Sequence, residues 1–327
     1  MTIQLILAIL RAIAAFGIAG LLATAQAQTD SRPLRIVVPF AAGGAQDVIG
    51  RYMSEKLGPR LGVTILIENK AGAGGVIAAD AVAKASPDGA TLFLASGGAI
   101  TVAPHLNPRL PYDAQRDFVP VALVADTPMT IAVRAQSPYK TLPELLRDAA
   151  ARPRQLAYAS TGNGTVSHLT GELLAQAAGV QLLHVPYRGA APAITDLIGG
   201  QVPVIVTSAA SIDPMAEAGK ARVLASFTAT RLASLNNAPT VAEASGLKGL
   251  EVPVWIGFLA PARTPAERLD KLAAEIEAVC KLPETRDKFK GLGALATCGG
   301  RTELGRVIAE DFARWEKVIK QGGIKVE

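Results

Sequence analysis

The stretch Leu34-Arg35-Ile36-Val37-Val38-Pro39-Phe40-Ala41-Ala42-Gly43-Gly44-Ala45-Gln46-Asp47 decides how this chain is read. Its β-branched run predicts a buried strand over 34–40. Pro39 and the glycines then break the pattern, and the amphipathic sequence that follows predicts a helix through Leu57. The same unit recurs downstream. A strand over 63–68 leads into the loop Asn69-Lys70-Ala71-Gly72-Ala73-Gly74-Gly75 and a helix over 76–84. The turn Ser86-Pro87-Asp88-Gly89 leads into a strand over 91–95 and the loop Ser96-Gly97-Gly98. Strands alternating with helices imply βαβ units and a mainly parallel sheet.

The alternation stops across 109–133, where Pro-rich turns surround Val119-Pro120-Val121-Ala122-Leu123-Val124, and then resumes. Thr141-Leu142-Pro143-Glu144 reads as a capping box with Pro in the first helical turn. A strand over 156–159, a loop over 160–165 and a helix over 166–178 follow. Further strands are expected over 182–185, 202–207 and 222–227, with a helix over 190–198. Thr264-Pro265-Ala266-Glu267 reads as a second capping box, before Leu269, Leu272, Ile276 and Val279 at helical spacing. Leu304, Val307, Ile308, Phe312, Trp315 and Ile319 mark a last helix. Two βαβ series with a break between them predict two α/β lobes, each a mainly parallel sheet flanked by helices. The crossings are expected near 126–129 and near Phe227. Residues 31–128 and 227–327 then form the first lobe and 129–226 the second.

Upstream, residues 12–25 are uncharged and apolar, preceded by Arg11, and Ala25-Gln26-Ala27 has the small-residue pattern of a secretory cleavage site. Residues 1–27 are expected to be a signal peptide removed on export. The competing reading is an anchor, since the apolar stretch counted from Met1 approaches the ~20 residues that span a bilayer. Export makes Cys280 and Cys298 a candidate disulfide, the alternative being two small core residues. Their separation and the lack of a histidine between them fit a metal site poorly.

Half of the 327 residues are apolar, enough for a sizeable core, and 33 basic against 28 acidic residues without a Lys/Arg run argue against a nucleic-acid binder. In an open α/β lobe, ligands sit at the carboxyl ends of strands, beside helix N-termini. Here the loops 41–45 and Ser160-Thr161-Gly162-Asn163-Gly164-Thr165 offer amides and hydroxyls but no Lys or Arg. Helix N-termini with free amides can hold a carboxylate or phosphate. The alternative is that the glycines merely make tight turns. No phosphate-loop, dinucleotide fingerprint or nucleophile-elbow motif is present. Of the three histidines, His168 lies one turn into a helix and could face a ligand or serve structure; His105 and His184 read as structural. A hydrolase could be drawn from Ser160 or Ser167 with His168, yet no spacing supports it. Polar groups without an acid–base constellation favour binding over catalysis, and no cofactor or metal is implied.

Val38-Pro39-Phe40-Ala41-Ala42-Gly43-Gly44-x-x-Asp47 resembles the signature of the Bug-type proteins, the extracytoplasmic substrate-binding proteins of tripartite tricarboxylate transporters. The resemblance continues in order through Glu68-Asn69-Lys70-x-Gly72-Ala73-Gly74-Gly75, Leu110-Pro111-Tyr112-Asp113, Gly162-Asn163-Gly164-Thr165-x-x-His168-Leu169, His184-Val185-Pro186-Tyr187-Arg188-Gly189 and Ala238-Pro239-Thr240-Val241-Ala242-Glu243. It implies a two-lobed periplasmic-binding-protein (Venus flytrap) fold. Such a protein, expected to be a monomer in the periplasm, captures a small carboxylate and presents it to membrane permease subunits. By position it nominates Phe40, Ala41, Ala42, Gly44 and Asp47 from one lobe and Thr161, Asn163, Thr165 and His168 from the other. Thr207-Ser208-Ala209-Ala210-Ser211 stands where many members carry Asp-Asn facing the ligand's far end. With Thr207 and Ser208 there, the far end is expected to be uncharged or a second carboxylate rather than an ammonium group.

Overall fold

The computed structural model describes residues 32–232, 235 and 237–322; the expected signal peptide at 1–27 lies outside the described residues. A first sheet contains β1 (Leu34–Val38), β2 (Ile65–Asn69), β3 (Thr91–Ala95), β4 (Phe118–Asp126), β10 (Trp255–Pro261) and β11 (Leu295–Gly299). A second contains β5 (Met129–Arg134), β6 (Ala157–Ser160), β7 (Leu183–Pro186), β8 (Val204–Ser208) and β9 (Ala221–Ser226). The helices are α1 (Ala45–Leu61), α2 (Val76–Ala83), α3 (Ala103–Leu106), α4 (Leu142–Ala151), α5 (Val166–Ala177), α6 (Ala190–Gly199), α7 (Ala209–Glu217), α8 (Val241–Ser245), α9 (Ala266–Cys280), α10 (Pro283–Lys290) and α11 (Arg301–Gly322).

The two-lobed α/β organisation stands, but the sheets are mixed rather than mainly parallel. The first runs β11-β4-β10-β3-β1-β2 and the second β7-β6-β8-β5-β9. Parallel pairing is confined to β1 with β2 and β3, and to β6 with β7 and β8. β10 runs antiparallel to β3 and β4, β11 to β4, and β5 to β8 and β9. The cause is the traffic between lobes. A strand that leaves one sheet to start the other, or returns from it, does not arrive through a right-handed βαβ crossover and is free to pair antiparallel. The expected run at 119–124 is part of β4, whose far end feeds β5 through Thr127 and Pro128.

Each sheet is covered on both faces. Leu34, Ile36, Val37 and Val38 are all at most 1% exposed, which explains why β1 reads as a continuous apolar run and not an alternating one. One core gathers Val37, Phe93, Trp255 and Leu304. Another gathers Ile131, Tyr158, Val204, the return segment's Val252 and Val254, and Trp315 and Ile319 from the far end of α11. That helix therefore packs into both halves. At the crossing, the Asp126 carboxylate accepts the Val254 N–H at 2.8 Å, tying the outgoing strand to the returning one.

The Thr141 box forms as its sequence requires: the hydroxyl accepts the Glu144 N–H, and Glu144 accepts the Thr141 N–H. The expected box at Thr264 does not form. Its hydroxyl donates to the Pro261 carbonyl at 2.8 Å, closing the turn after β10, and Pro265 becomes the residue flanking α9. Cys280, at the end of α9, is joined to Cys298 in β11 with an S–S distance of 2.19 Å.

Candidate functional site

The loops after β1 and β6 face each other across a cavity of about 60 Å³. Since a water needs ~10–15 Å³ on this measure, the space suits a handful of waters or part of a small solute. Its walls come from helix beginnings. Gly44 and Ala45 open α1, Thr165 and Val166 open α5, Ala190 opens α6, and Ser208 precedes α7; all of them line the cavity. Four helix N-termini thus converge on one space. Gly44, Gly189 and Ser208 make no side-chain cap hydrogen bond, which leaves first-turn amides of α1, α6 and α7 without a cap from those side chains. Each N-terminus carries roughly half a positive charge, so together they favour an anion. Among the described residues, no Asp, Glu, Lys, Arg or His lines the cavity.

Hydroxyls fill out the polar wall. Thr161 donates to Thr165 Oγ1 at 3.2 Å, and Ser208 and Ser211 share a hydrogen bond of 3.0 Å. Ser167 donates to the Val206 carbonyl at 2.6 Å while accepting the Thr161 N–H at 3.0 Å, pinning the loop to β8. Ser96 donates to Gln46, whose amide in turn donates to the Leu94 carbonyl. Phe40, Met129, Val254 and Ile256 supply the apolar part.

Of the nominated residues, Phe40, Gly44, Thr161, Thr165 and Ser208 line this cavity. Asn163 lines a second cavity outside it. Ala41 and Ala42 line neither; the Ala41 N–H donates to the Arg188 carbonyl across the cleft at 3.2 Å, and Ala42 is exposed. Thr207 is fully buried, with no partner for its hydroxyl, and does not line the cavity, because alternation along β8 turns it away from the face that Ser208 presents.

Asp47 and His168 also lie behind the wall. Asp47, 3% exposed, accepts the Gly43 N–H at 2.9 Å, Arg51 at 2.9 Å and Asn69 at 2.9 Å. Burial pushes its carboxyl up, but Arg51, the Gly43 amide and Asn69 together outweigh burial and hold it below its ordinary value. It is an anion that shapes the first loop. The His168 ring accepts the Gly164 N–H at 3.3 Å and stacks on His184, with 3.8 Å between centroids. Burial holds His168 down to about 4 and, with the neighbouring ring, His184 down to about 3, so both are neutral near pH 7. The 3.9 Å approach of His168 to Glu172 is then not an ion pair.

The serines do not assemble a nucleophile. Ser160 is fully buried and pairs with His184 at 2.6 Å rather than with His168, while the Ser167 hydroxyl is committed to Val206. The contributions of Thr127, Met129, Val254 and Ile256 carried no local signal in the sequence, whereas Ser211 lies in the 207–211 loop expected to face the ligand. Ser96 and Gly98 could have been found, since they end a strand in the manner of the other two loops.

A family model described as the tripartite tricarboxylate transporter family receptor matches residues 49–324. Three solved structures are closely similar. The periplasmic binding protein BugD has a TM-score of 0.86 and 36% identity, over 90% of this chain and 99% of that one. A Rhodopseudomonas palustris protein solved with adipate has a TM-score of 0.87 and 34% identity, over 90% and 99%. MatC from Rhodopseudomonas palustris, solved with bound malate, has a TM-score of 0.85 and 34% identity, over 89% and 99%.

Proposed function

The chain belongs to the tripartite tricarboxylate transporter receptor family, and from that premise we propose that it captures a small carboxylate between its lobes in the periplasm and delivers it to the permease subunits of such a transporter. The observation that carries this reading is that, among the described residues, four helix N-termini surround a space lined by no ionised side chain. Amides and hydroxyls in that arrangement hold an anion by hydrogen bonds and dipoles. The dicarboxylates in two of the similar structures agree with it. In this reading Phe40, Gly44, Thr161, Thr165 and Ser208 touch the ligand, while Asp47 and His168 position the loops. Residues 31–128 with 227–327 close against 129–226 by bending near Asp126 and Phe227, and the working unit is a monomer released by cleavage after Ala27. An ammonium group would find no carboxylate in the inner cavity, which disfavours amino acids.

Native mass spectrometry of the purified exported protein tests the proposal. One equivalent of a small acid is expected to leave the protein chemically unchanged, and the same acid at 100 times its Kd should stabilise it by about 2.7 kcal/mol. Recovery of a converted product, or stabilisation by aspartate and glutamate but by no dicarboxylate that lacks an ammonium group, would contradict it.

A further inference from the structure

Outside the inner cavity lies a second one, of about 350 Å³, with which it shares two wall residues, Phe40 and Thr161. The other walls are the 71–75 loop of the first lobe and Asn163 and Pro186-Tyr187-Arg188 of the second. The two spaces differ in charge. Among the described residues, Arg188 is the one formally charged side chain lining the outer cavity, and no carboxylate lines it. The Tyr187 hydroxyl is protonated and already donates to Asp196 at 2.8 Å. Arg188 is exposed, and among the described residues its guanidinium makes no ion pair or hydrogen bond.

Its backbone is fixed all the same. The Arg188 carbonyl accepts the Ala41 N–H, and the adjoining Gly189, at φ +126, presses so close that a Cβ there would lie 3.2 Å from that same nitrogen and 3.5 Å from the Phe40 Cβ. The contact that brings the two lips together therefore holds an unpartnered guanidinium beside the shared wall.

We propose that the two cavities form one elongated site: a linear diacid sets its first carboxylate among the helix N-termini, passes between Phe40 and Thr161, and delivers its second carboxylate to Arg188. This rests on the carboxylate reading above and adds to it the chain-length class of the ligand and a residue that selects it. A guanidinium matches a carboxylate through parallel N–H donors, and because Arg188 is exposed the gain is modest, about two- to fivefold in affinity.

Calorimetric titration of the exported protein with adipate and with hexanoate, a monoacid of the same length, separates the two ideas. The wild type is expected to prefer adipate by about two- to fivefold. Arg188→Gln should abolish that preference while leaving hexanoate affinity within about twofold, and Arg188→Lys should keep part of it. Unchanged thermal midpoints of both variants without ligand would confirm that they fold. Equal wild-type affinity for the two acids, or a preference that survives Arg188→Gln, overturns the elongated site and leaves the inner carboxylate site standing. Failure of the wild type to bind either acid likewise overturns the elongated site, while the carboxylate reading is decided separately by the acid that native mass spectrometry recovers.

Discussion

His168 and His184, stacked beneath the Gly162–Thr165 loop, are the residues whose chemistry depends most on their surroundings. One accepts the Gly164 N–H and the other pairs with Ser160, so two neutral imidazoles brace the loop from behind. Their folded values, about 4 and about 3, lie below the ordinary 6.5. As pH falls below 6.5 the unfolded chain takes up these protons first, and stability is lost until the folded values are reached. His168, 6% exposed, should contribute a slope of up to about 1.4 kcal/mol per pH unit between pH 6 and pH 4. His184, less deeply buried, should contribute less. Urea unfolding at pH 7, 6, 5 and 4 should therefore fall more steeply for wild type than for His168→Gln, which retains an acceptor for Gly164. Parallel curves would show that His168 does not carry the acid sensitivity. His168 was legible in sequence as a residue near the loop. Whether it faced the ligand or the interior was not, because the stacking partner comes from another strand.

Among the elements, those whose pattern is local could be read directly. Thr141 and Glu144 carry their helix start within four residues, and β1 declares itself by an apolar run between an arginine and a proline. β10 and β11 could not be read, because their place depends on distant partners: β10 inserts between β3 and β4, and β11 adds to the edge beyond β4. Thr264 misled for a local reason instead: the Pro261 carbonyl, three residues back at the end of β10, competes for its hydroxyl. The site divides likewise. The loops were visible as Gly-rich strand ends, while the floor at Thr127, Met129, Val254 and Ile256 exists only once the lobes are joined. β11 pairs on one side only, and the Cys280–Cys298 bridge ties it to α9 across 18 positions. For a loop of this size a bridge adds ~3 kcal/mol. Cys280→Ser with Cys298→Ser should lower the unfolding free energy by about that much, and dithiothreitol should lower the wild type similarly while leaving the double variant unaffected. A loss below about 0.5 kcal/mol would mean that β11 is held by packing alone.

At the scale of the whole molecule, the two lips meet through backbone rather than side chains. A Cβ on Gly74, whose φ is +64, would lie 2.4 Å from the Asn163 carbonyl oxygen of the opposite lobe. Gly74→Val should therefore keep the lips apart. Small-angle scattering with saturating ligand should show no contraction, affinity should fall at least about tenfold, and the ligand-free protein should lose only the ~1–2 kcal/mol of an unfavourable backbone angle. Full affinity with normal contraction would show that the lips need not touch. Behind the cleft, α11 sends Leu304 into one core and Trp315 and Ile319 into the other. A single rod is thereby bolted to both halves at the rear. Because the rod runs beside the crossing at Asp126, a swing about that crossing leaves it near the pivot, and displacement grows with distance from it toward the front rim. Evolution can reshape the rim to suit a new cargo and leave the pivot as it is.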